Sequence, residues 1–439
     1  MSFDIKQIID DNKKNVDNIE IYFAETESSP VEFQNNRLHS LDKKYITGVG
    51  ARVIHNGRVG FSSGNDLSKI DDIIKAAKDS SIYGEKVKYT FPDQSQSDVR
   101  TQPDIYDNEL ENPDNDLMIK MLDEAIAKIV SYEKNIKCEG EIKYNKINIS
   151  IANSSGLFNQ YKKTILSAWI NALLVEKEGG FQWLSDFNSS THKFDSCMSI
   201  ADSVIKQIEY SKNIIPFKTK NIPVIFMSES AYILFKSIQL GASGAVLQKG
   251  ISPLSDKKEK KIFDERIIIN DNPLLDRLTG SRPFDGEGID GRENVIIENG
   301  VFKNFIFDIE TASRLGEKTS GNASRSYSSK PSCGFTNFIV EKGDGKIKEM
   351  ISGLKEGILI YELLGAGQSN LIAGDYSVNI GLGFYVQNGE IKGRIKNAMI
   401  AGNIFEDLNN NIEQISSETR ELSGMILPNI LLKNKKIVS

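Results

Sequence analysis

Histidine is scarce in this chain. Only His39, His55 and His192 occur in 439 residues. No two are close in sequence, none has an acidic residue at a metal-ligand spacing, and HExxH is absent. A zinc hydrolase site draws on neutral imidazole or thiolate, so these gaps argue against one. Each histidine reads as an ordinary sheet or surface residue. The three cysteines, Cys138, Cys197 and Cys333, lie far apart with no CxxC pair, which excludes a disulfide framework and a zinc knuckle. No apolar run approaches the roughly 20 residues of a membrane span. The opening MSFDIKQIIDDNKK lacks a charged-then-apolar pattern, so no signal peptide is expected and a cytoplasmic location is. The net charge is −6, with no basic cluster carrying interleaved aromatics, which weighs against a nucleic-acid groove. The run KKEKK (Lys257 to Lys261) reads as a solvated loop. There is no GxxxxGK[ST] loop, no GxGxxG after a strand and no GxSxG elbow. GASG (Gly241 to Gly244) lacks the spacing, and the SxxK match at Ser255 and Lys258 is cheap in a Lys-rich chain.

What is present is ordinary globular composition, 39% hydrophobic and 26% charged, over a length that calls for two domains. Ile19 to Glu25 alternates as a strand, and Val31 to Gly64 follows as a meander with an Asn56-Gly57 hairpin signal. Asp66 caps a helix to about Ser80. A second amphipathic helix carries Leu117, Met118, Met121, Leu122, Ala125, Ile126 and Ile129 inward. Cys138 to Ser190 is a second meander with turns at Asn153 to Gly156 and Glu178 to Gly180, and a helix over Phe194 to Ser211 closes the region. Residues 1–212 thus read as an α+β domain, an antiparallel sheet with packed helices. Residues 213–439 read as a β-rich domain, barrel or sandwich, around a buried helix. That helix is Glu229 to Gly244, capped by Ser228 and apolar most of the way round. Asn-Gly hairpins recur at 299–300 and 388–389, and Lys346 to Gly357 predicts a short helix before the strand ILIYELL.

Two polar stretches stand out. Arg277 to Asn337 is dense in Gly, Ser, Asp and Arg, as is Gly365 to Phe384. Long polar loops in a large domain tend to carry function, so the two predict the lining of one cleft. Candidate lining residues are Arg282, Asp285, Glu287, Arg292 and Asn322 from the first, and Gln368, Ser369, Asp375 and Tyr376 from the second. Turn chemistry, or an Arg282–Asp285 pair that fixes a loop, accounts for these residues equally well. The acidic loop DGEGID (Asp285 to Asp290) does not match the calcium-loop spacing and reads as solvated or Arg-paired. Cys333 has no evident histidine partner and reads as a structural thiol.

LTGSRPFDGEGIDGRENVIIENGVFKNFIFDIETASRLGEKTSGNASRS, then TNFIVEKGDG, then ELLGAGQSNLIAGDYSVNIGLGFYVQNGEI resemble the TldD/PmbA family, whose members are also called modulators of DNA gyrase or microcin-processing peptidases. The likeness covers nearly all of residues 215–439, and more loosely NRLHSLDKKYITGVGARVIHNGRVGFSS in the N-terminal half. The resemblance implies a choice between two branches. TldD-type chains carry HExxxH on a helix, and a cysteine near the C-terminus completes the metal site. Here Lys236 and Ser237 stand at the His-Glu pair, Gly241 at the second His, and Leu422 near the cysteine position. The chain therefore resembles the PmbA (TldE) branch, which lacks the metal.

By that resemblance no metal or other cofactor is expected in this chain, and a metal, zinc above all, only in a TldD-type partner. The implied assembly is a heterodimer with that partner, with a homodimer open in isolation. Its substrates are unfolded peptides added as β-strands; no nucleic acid or membrane is implied. Two other readings stay open. One is a stand-alone peptidase with a metal-independent nucleophile, Ser237 or Cys333. The other is a regulatory binding protein of the gyrase-modulator type.

Overall fold

A computed structural model of the chain describes residues 4–93, 102–175 and 180–439. The N-terminal half is one antiparallel sheet of seven strands: β1 (Asn18–Gln34), β2 (Arg37–Leu41), β3 (Lys44–His55), β4 (Arg58–Gly64), β5 (Lys137–Asn153), β6 (Phe158–Val175) and β7 (Phe181–Ser190). The order is β4-β3-β1-β5-β6-β7, with β2 paired to β1. Two-residue turns with positive φ at Asn56 and Gly57 join β3 to β4, as the sequence predicts. The turn expected at Glu178–Gly180 lies outside the described residues apart from Gly180.

Helices cover this sheet at two places. α1 (Ile5–Asn12) and α2 (Ile70–Ser80) bury Ile5, Ile9, Ile73, Ile74 and Ala77 against Ile19, Ile21, Val49 and Val53. α3 (Asn115–Tyr132) and α4 (Met198–Ser211) bury Met121, Leu122, Ile126, Ala201 and Val204 against alternate residues of β5 and β6, among them Ile142, Tyr144, Ala168 and Ile170. The period-2 face of the strands meets the 3.6-period face of the helices, which is why only this register buries both.

The C-terminal half builds an 11-stranded sheet part of which closes on itself. β8 (Lys220–Phe226) pairs in parallel with Glu356–Leu364, which pairs with Asp375–Gln387, then Met399–Asn403, then Met425–Val438, and the last strand returns to β8. The result is a closed five-stranded barrel, resolving the choice between barrel and sandwich. Its strands face two ways. Val224, Phe226, Ile358, Ile360, Ile430 and Leu432 join the cluster around α5 (Ser228–Gly241). Ile225, Leu359, Phe384 and Leu431 join the α3–α4 cluster, so one hydrophobic body spans both halves.

Several boundaries differ from expectation: Asp66 caps a 3-10 turn, Leu67–Lys69, that precedes α2, and α4 starts at Met198 rather than near Phe194. Met227, not Ser228, is the N-cap of α5. Ser228 is the first helical residue, and its N–H and hydroxyl donate to Asn429 Oδ1 at 2.9 and 3.3 Å. The helix stops at Gly241, and a separate turn of helix begins at Gly244 after Ser243 bridges to Ile306. The helix expected over Lys346–Gly357 spans only Ile347–Ser352, because Leu354 already accepts from Gly389 of the following hairpin. The break after α5 needs glycine: a Cβ at Gly244 would stand 2.4 Å from Phe307 Cδ1 and 2.9 Å from the Ile306 carbonyl oxygen. Gly244→Ala is expected to cost about 1–3 kcal/mol through overpacking, read as a lower urea midpoint at unchanged slope.

Candidate functional site

One face of α5 is left for solvent. Glu229, Tyr232, Lys236 and Gln239 recur at three- and four-residue spacing, the period of a single helix face, and Ser243 continues the row just past the helix end. They line a groove with two adjoining lobes of about 460 Å³ each. Lys236, Leu422, Ser423 and Met425 belong to both lobes. The first lobe extends to Cys333, Phe335 and Thr336. The second runs to Phe187, Ala366, Gly367 and Leu371. A smaller recess of about 190 Å³ continues past Phe187 to Trp183, Tyr361 and Glu362. A roomier hollow of about 680 Å³ lies elsewhere, around Lys258, Arg292 and Lys318.

The charges along the groove are mostly satisfied. Arg420 grips Glu229 and Asp186 together and donates to the Phe187 carbonyl at 2.6 Å. Lys236 Nζ donates to Gln239 Oε1 at 3.1 Å and has no carboxylate partner among the described residues. Cys333 Sγ accepts from the Asp308 N–H at 3.4 Å and lies 3.2 Å from Thr311 Oγ1. Burial first, and the Asp308 carboxylate second, push its thiol above the ordinary range. Ser237 is turned into the core, fully buried, with a hydroxyl that has no partner among the described residues. A Cβ at Gly241 would meet Leu254 and Pro253 at 3.2 Å. Among the described residues no three His, Cys, Asp or Glu side chains are grouped to hold a metal. The groove offers an ammonium and a leucine where a divalent cation needs lone pairs, so it does not fit one.

Three family models match the chain: the PmbA/TldA metallopeptidase domain 1 over residues 19–81, its central domain over 108–210, and its C-terminal domain over 219–439. The chain belongs to the PmbA/TldD family. It is 27% identical to an uncharacterized protein of Methanocaldococcus jannaschii over 99% of this chain and 100% of that one. It is 26% identical to the metalloprotease PmbA homolog of Buchnera aphidicola, over 97% and 94%. It is 29% identical to the zinc metalloprotease TldD homolog of Saccharolobus solfataricus, over 87% and 86%. TldE from Thermococcus kodakarensis shares the fold at a TM-score of 0.91 and 24% identity, over 99% of this chain and 100% of that one.

Within this PmbA/TldD fold the two polar stretches part company. From the second, Ala366, Gly367 and Leu371 edge the groove, with Gln368 exposed beside them. Ser369 ties the loop to Ser377, accepting from its N–H at 3.1 Å. Asp375 is exposed and accepts from Asn403 at 2.8 Å. Tyr376 is buried and donates to Asp407 at 2.7 Å, which also receives Lys435 at 2.8 Å. From the first, Ile306 and Cys333 to Thr336 reach the groove. Asp285 is buried and accepts from the N–H groups of Glu287, Ile289 and Ala323, so it shapes its own loop. The DGEGID loop is therefore not solvated; the arginine bonded to it is Arg52, while the Arg282 charge favours the Asp285 carboxylate from beyond bonding distance. Glu287 Oε1 receives Arg52 at 2.7 Å, and Oε2 receives the Ile309 N–H at 2.7 Å. Arg282 makes no ion pair with Asp285 within bonding distance among the described residues; its Nε and Nη2 are buried without partners. Arg292 donates to the Ser320 and Thr319 carbonyls at the rim of the separate hollow. Asn322 is fully buried and donates to Asp271 at 2.6 Å.

Sequence reasoning missed the partners of these residues. Asp271 sits in a strand pattern yet collects Asn322 Nδ2, the Thr336 N–H and the Thr336 hydroxyl; burial pushes its carboxyl up to about 6. Glu20 and Arg52, on β1 and β3, face each other at the paired register Glu20↔Arg52. An inward-pointing Glu and Arg at polar positions of otherwise apolar strands was the signal available for them.

Proposed function

We propose that this chain is the non-metal-binding, TldE/PmbA-type subunit of a TldD/TldE-like metalloprotease that cleaves unfolded peptides in the cytoplasm. It pairs with a TldD-type subunit, which carries the zinc, and its α5 groove helps to wall the peptide chamber. In isolation a homodimer stays open. The observation that carries this reading is the make-up of the α5 groove, where Lys236, Gln239, Leu240 and Leu422 stand around a peptide-sized space and offer no ligand set. A groove of this kind can hold a chain but, among the described residues, offers no metal-ligand set through which a carbonyl would be polarised and water activated together.

A stand-alone nucleophile is disfavoured on two counts. Ser237 is sealed in the core, and burial and the Asp308 carboxylate hold the Cys333 thiol protonated, with no histidine bonded to it among the described residues. A gyrase-type regulator that contacts DNA directly is disfavoured by the acidic balance. Cleavage of unfolded casein tests the reading. The chain alone is expected to give none, and addition of a TldD-type subunit is expected to give cleavage that a chelator abolishes. Chelator-resistant cleavage by the chain alone would overturn it.

A further inference from the structure

Charge and shape in the α5 groove are matched to a more specific ligand than an arbitrary peptide. Two charged side chains line the two 460 Å³ lobes among the described residues, Glu229 and Lys236. Glu229 is neutralised by Arg420. Lys236 is not neutralised, and it stands on the wall shared by the lobes rather than at either end. The walls near it mix apolar side chains, Tyr232, Phe335, Leu371, Leu422 and Met425, with the neutral polar Gln239, Ser423 and Thr336. A half-buried ammonium with no counter-ion between two hollows rich in apolar side chains leaves a charge to be met by whatever fills them.

We infer that this groove binds an extended peptide segment in which one Asp or Glu is flanked on both sides by apolar residues, the carboxylate on Lys236 Nζ and the apolar side chains in the two lobes. The inference deepens the subunit reading by naming which peptide segments this chain holds. A single ammonium suits one carboxylate; a phosphate group calls for several donors at once. The central position of Lys236 favours an internal acidic side chain over a chain terminus, which would leave one lobe empty.

The test is fluorescence anisotropy of the isolated chain with two short labelled, C-terminally amidated peptides that carry Glu or Gln between leucines. A Gln peptide with a free C-terminus is the third probe. The Glu peptide is expected to bind about tenfold more tightly than either Gln peptide, the worth of one charge-assisted hydrogen bond. Lys236→Gln should remove that difference, and Lys236→Arg should retain it. The comparison between peptides needs no variant, so a misfolded Lys236→Gln chain does not rescue a failure. Equal binding of all three peptides, or no binding, overturns the inference. So does full binding of the free-acid Gln peptide, which would mark a terminal-carboxylate site. Chelator-sensitive casein cleavage with the TldD-type subunit, without this discrimination, would defeat the inference and leave the subunit reading standing.

Discussion

Arg52→Ala is expected to destabilise the protein by about 3–5 kcal/mol, because it strips the cation from buried carboxylates. Arg52 is 2% exposed and Glu20 and Glu287 are 0% exposed. Arg52 meets Glu20 through Nε and Nη2 at 3.1 and 2.9 Å, and Glu287 through Nη1 at 2.7 Å. Arg325 completes the set, donating to Glu20 at 2.6 Å. Two arginines and two glutamates balance, two from the N-terminal sheet and two from the 277–337 stretch. Removing Arg52 leaves Glu287 with the Ile309 N–H alone. The loss has a pH signature. Burial, the largest influence, holds the Glu287 carboxyl up at about 7 even with Arg52 beside it. A carboxyl raised in the folded state stabilises when protonated, at low pH, and that contribution is lost as pH rises toward 7. Without Arg52 its pKa climbs further, so the deficit of Arg52→Ala should be smaller at pH 6 than at pH 8. Urea denaturation at the two pH values checks this. Limited proteolysis within 277–337 should quicken, since that stretch loses its anchor to β1 and β3. An equal deficit at both pH values would mean that the contact of the Arg52 guanidinium with the Phe91 ring, 4.7 Å from its centroid, dominates instead.

Much of the fold was legible because it rests on local rules. The hairpins at Asn56-Gly57, Asn299-Gly300 and Asn388-Gly389 all adopt positive φ at both turn residues. The inward residues of α3 from Met118 to Ile129 are those the 3.6-residue period picked out. Less legible were features set by distant partners. Nothing local says that Ser228 will bind Asn429, 201 residues away, rather than cap its helix. The closure of the barrel depends on β8 lying between two strands far along the chain.

The candidate site was legible in part for the same reason. Polar, glycine-rich composition marks a stretch that cannot be plain core, but it does not say whether the polar groups face solvent or each other. In the 277–337 stretch Asp285, Glu287 and Asn322 face inward and are satisfied there. The groove is instead framed by α5, the Leu422–Met425 turn and the Ala366–Leu371 segment. Lys236 was visible in the sequence as the residue at an expected ligand position. That its amine would stand between two lobes rich in apolar side chains was not visible, because Phe335, Leu371 and Met425 come to it from three separate places in the chain.

Lys435→Met should cost about as much as Arg52→Ala, roughly 3–5 kcal/mol, by the same mechanism in the C-terminal half. Asp407 is 1% exposed and Lys435 is 8% exposed. Lys435 Nζ reaches both carboxylate oxygens at 2.8 Å, while Tyr376 and Asn411 donate at 2.7 and 3.1 Å. The three key residues sit on two barrel strands and the Ile404–Asn410 helix, so the cluster clasps that helix to the barrel. A methionine keeps most of the stem packing and removes only the charge, leaving a buried carboxylate with two neutral donors. Adding Asp407→Asn removes the stranded charge and retains an oxygen for the Tyr376 hydroxyl. The double variant should therefore recover more than half of the loss, the non-additivity expected of a coupled pair. Thermal and urea unfolding of the four proteins close the cycle; additive losses would mean that Asp407 and Lys435 act independently. Peptide binding per folded molecule should be unchanged in all four, because none of these residues lines the α5 groove. That separates Tyr376, which the sequence offers as a cleft residue, from the residues that touch a peptide.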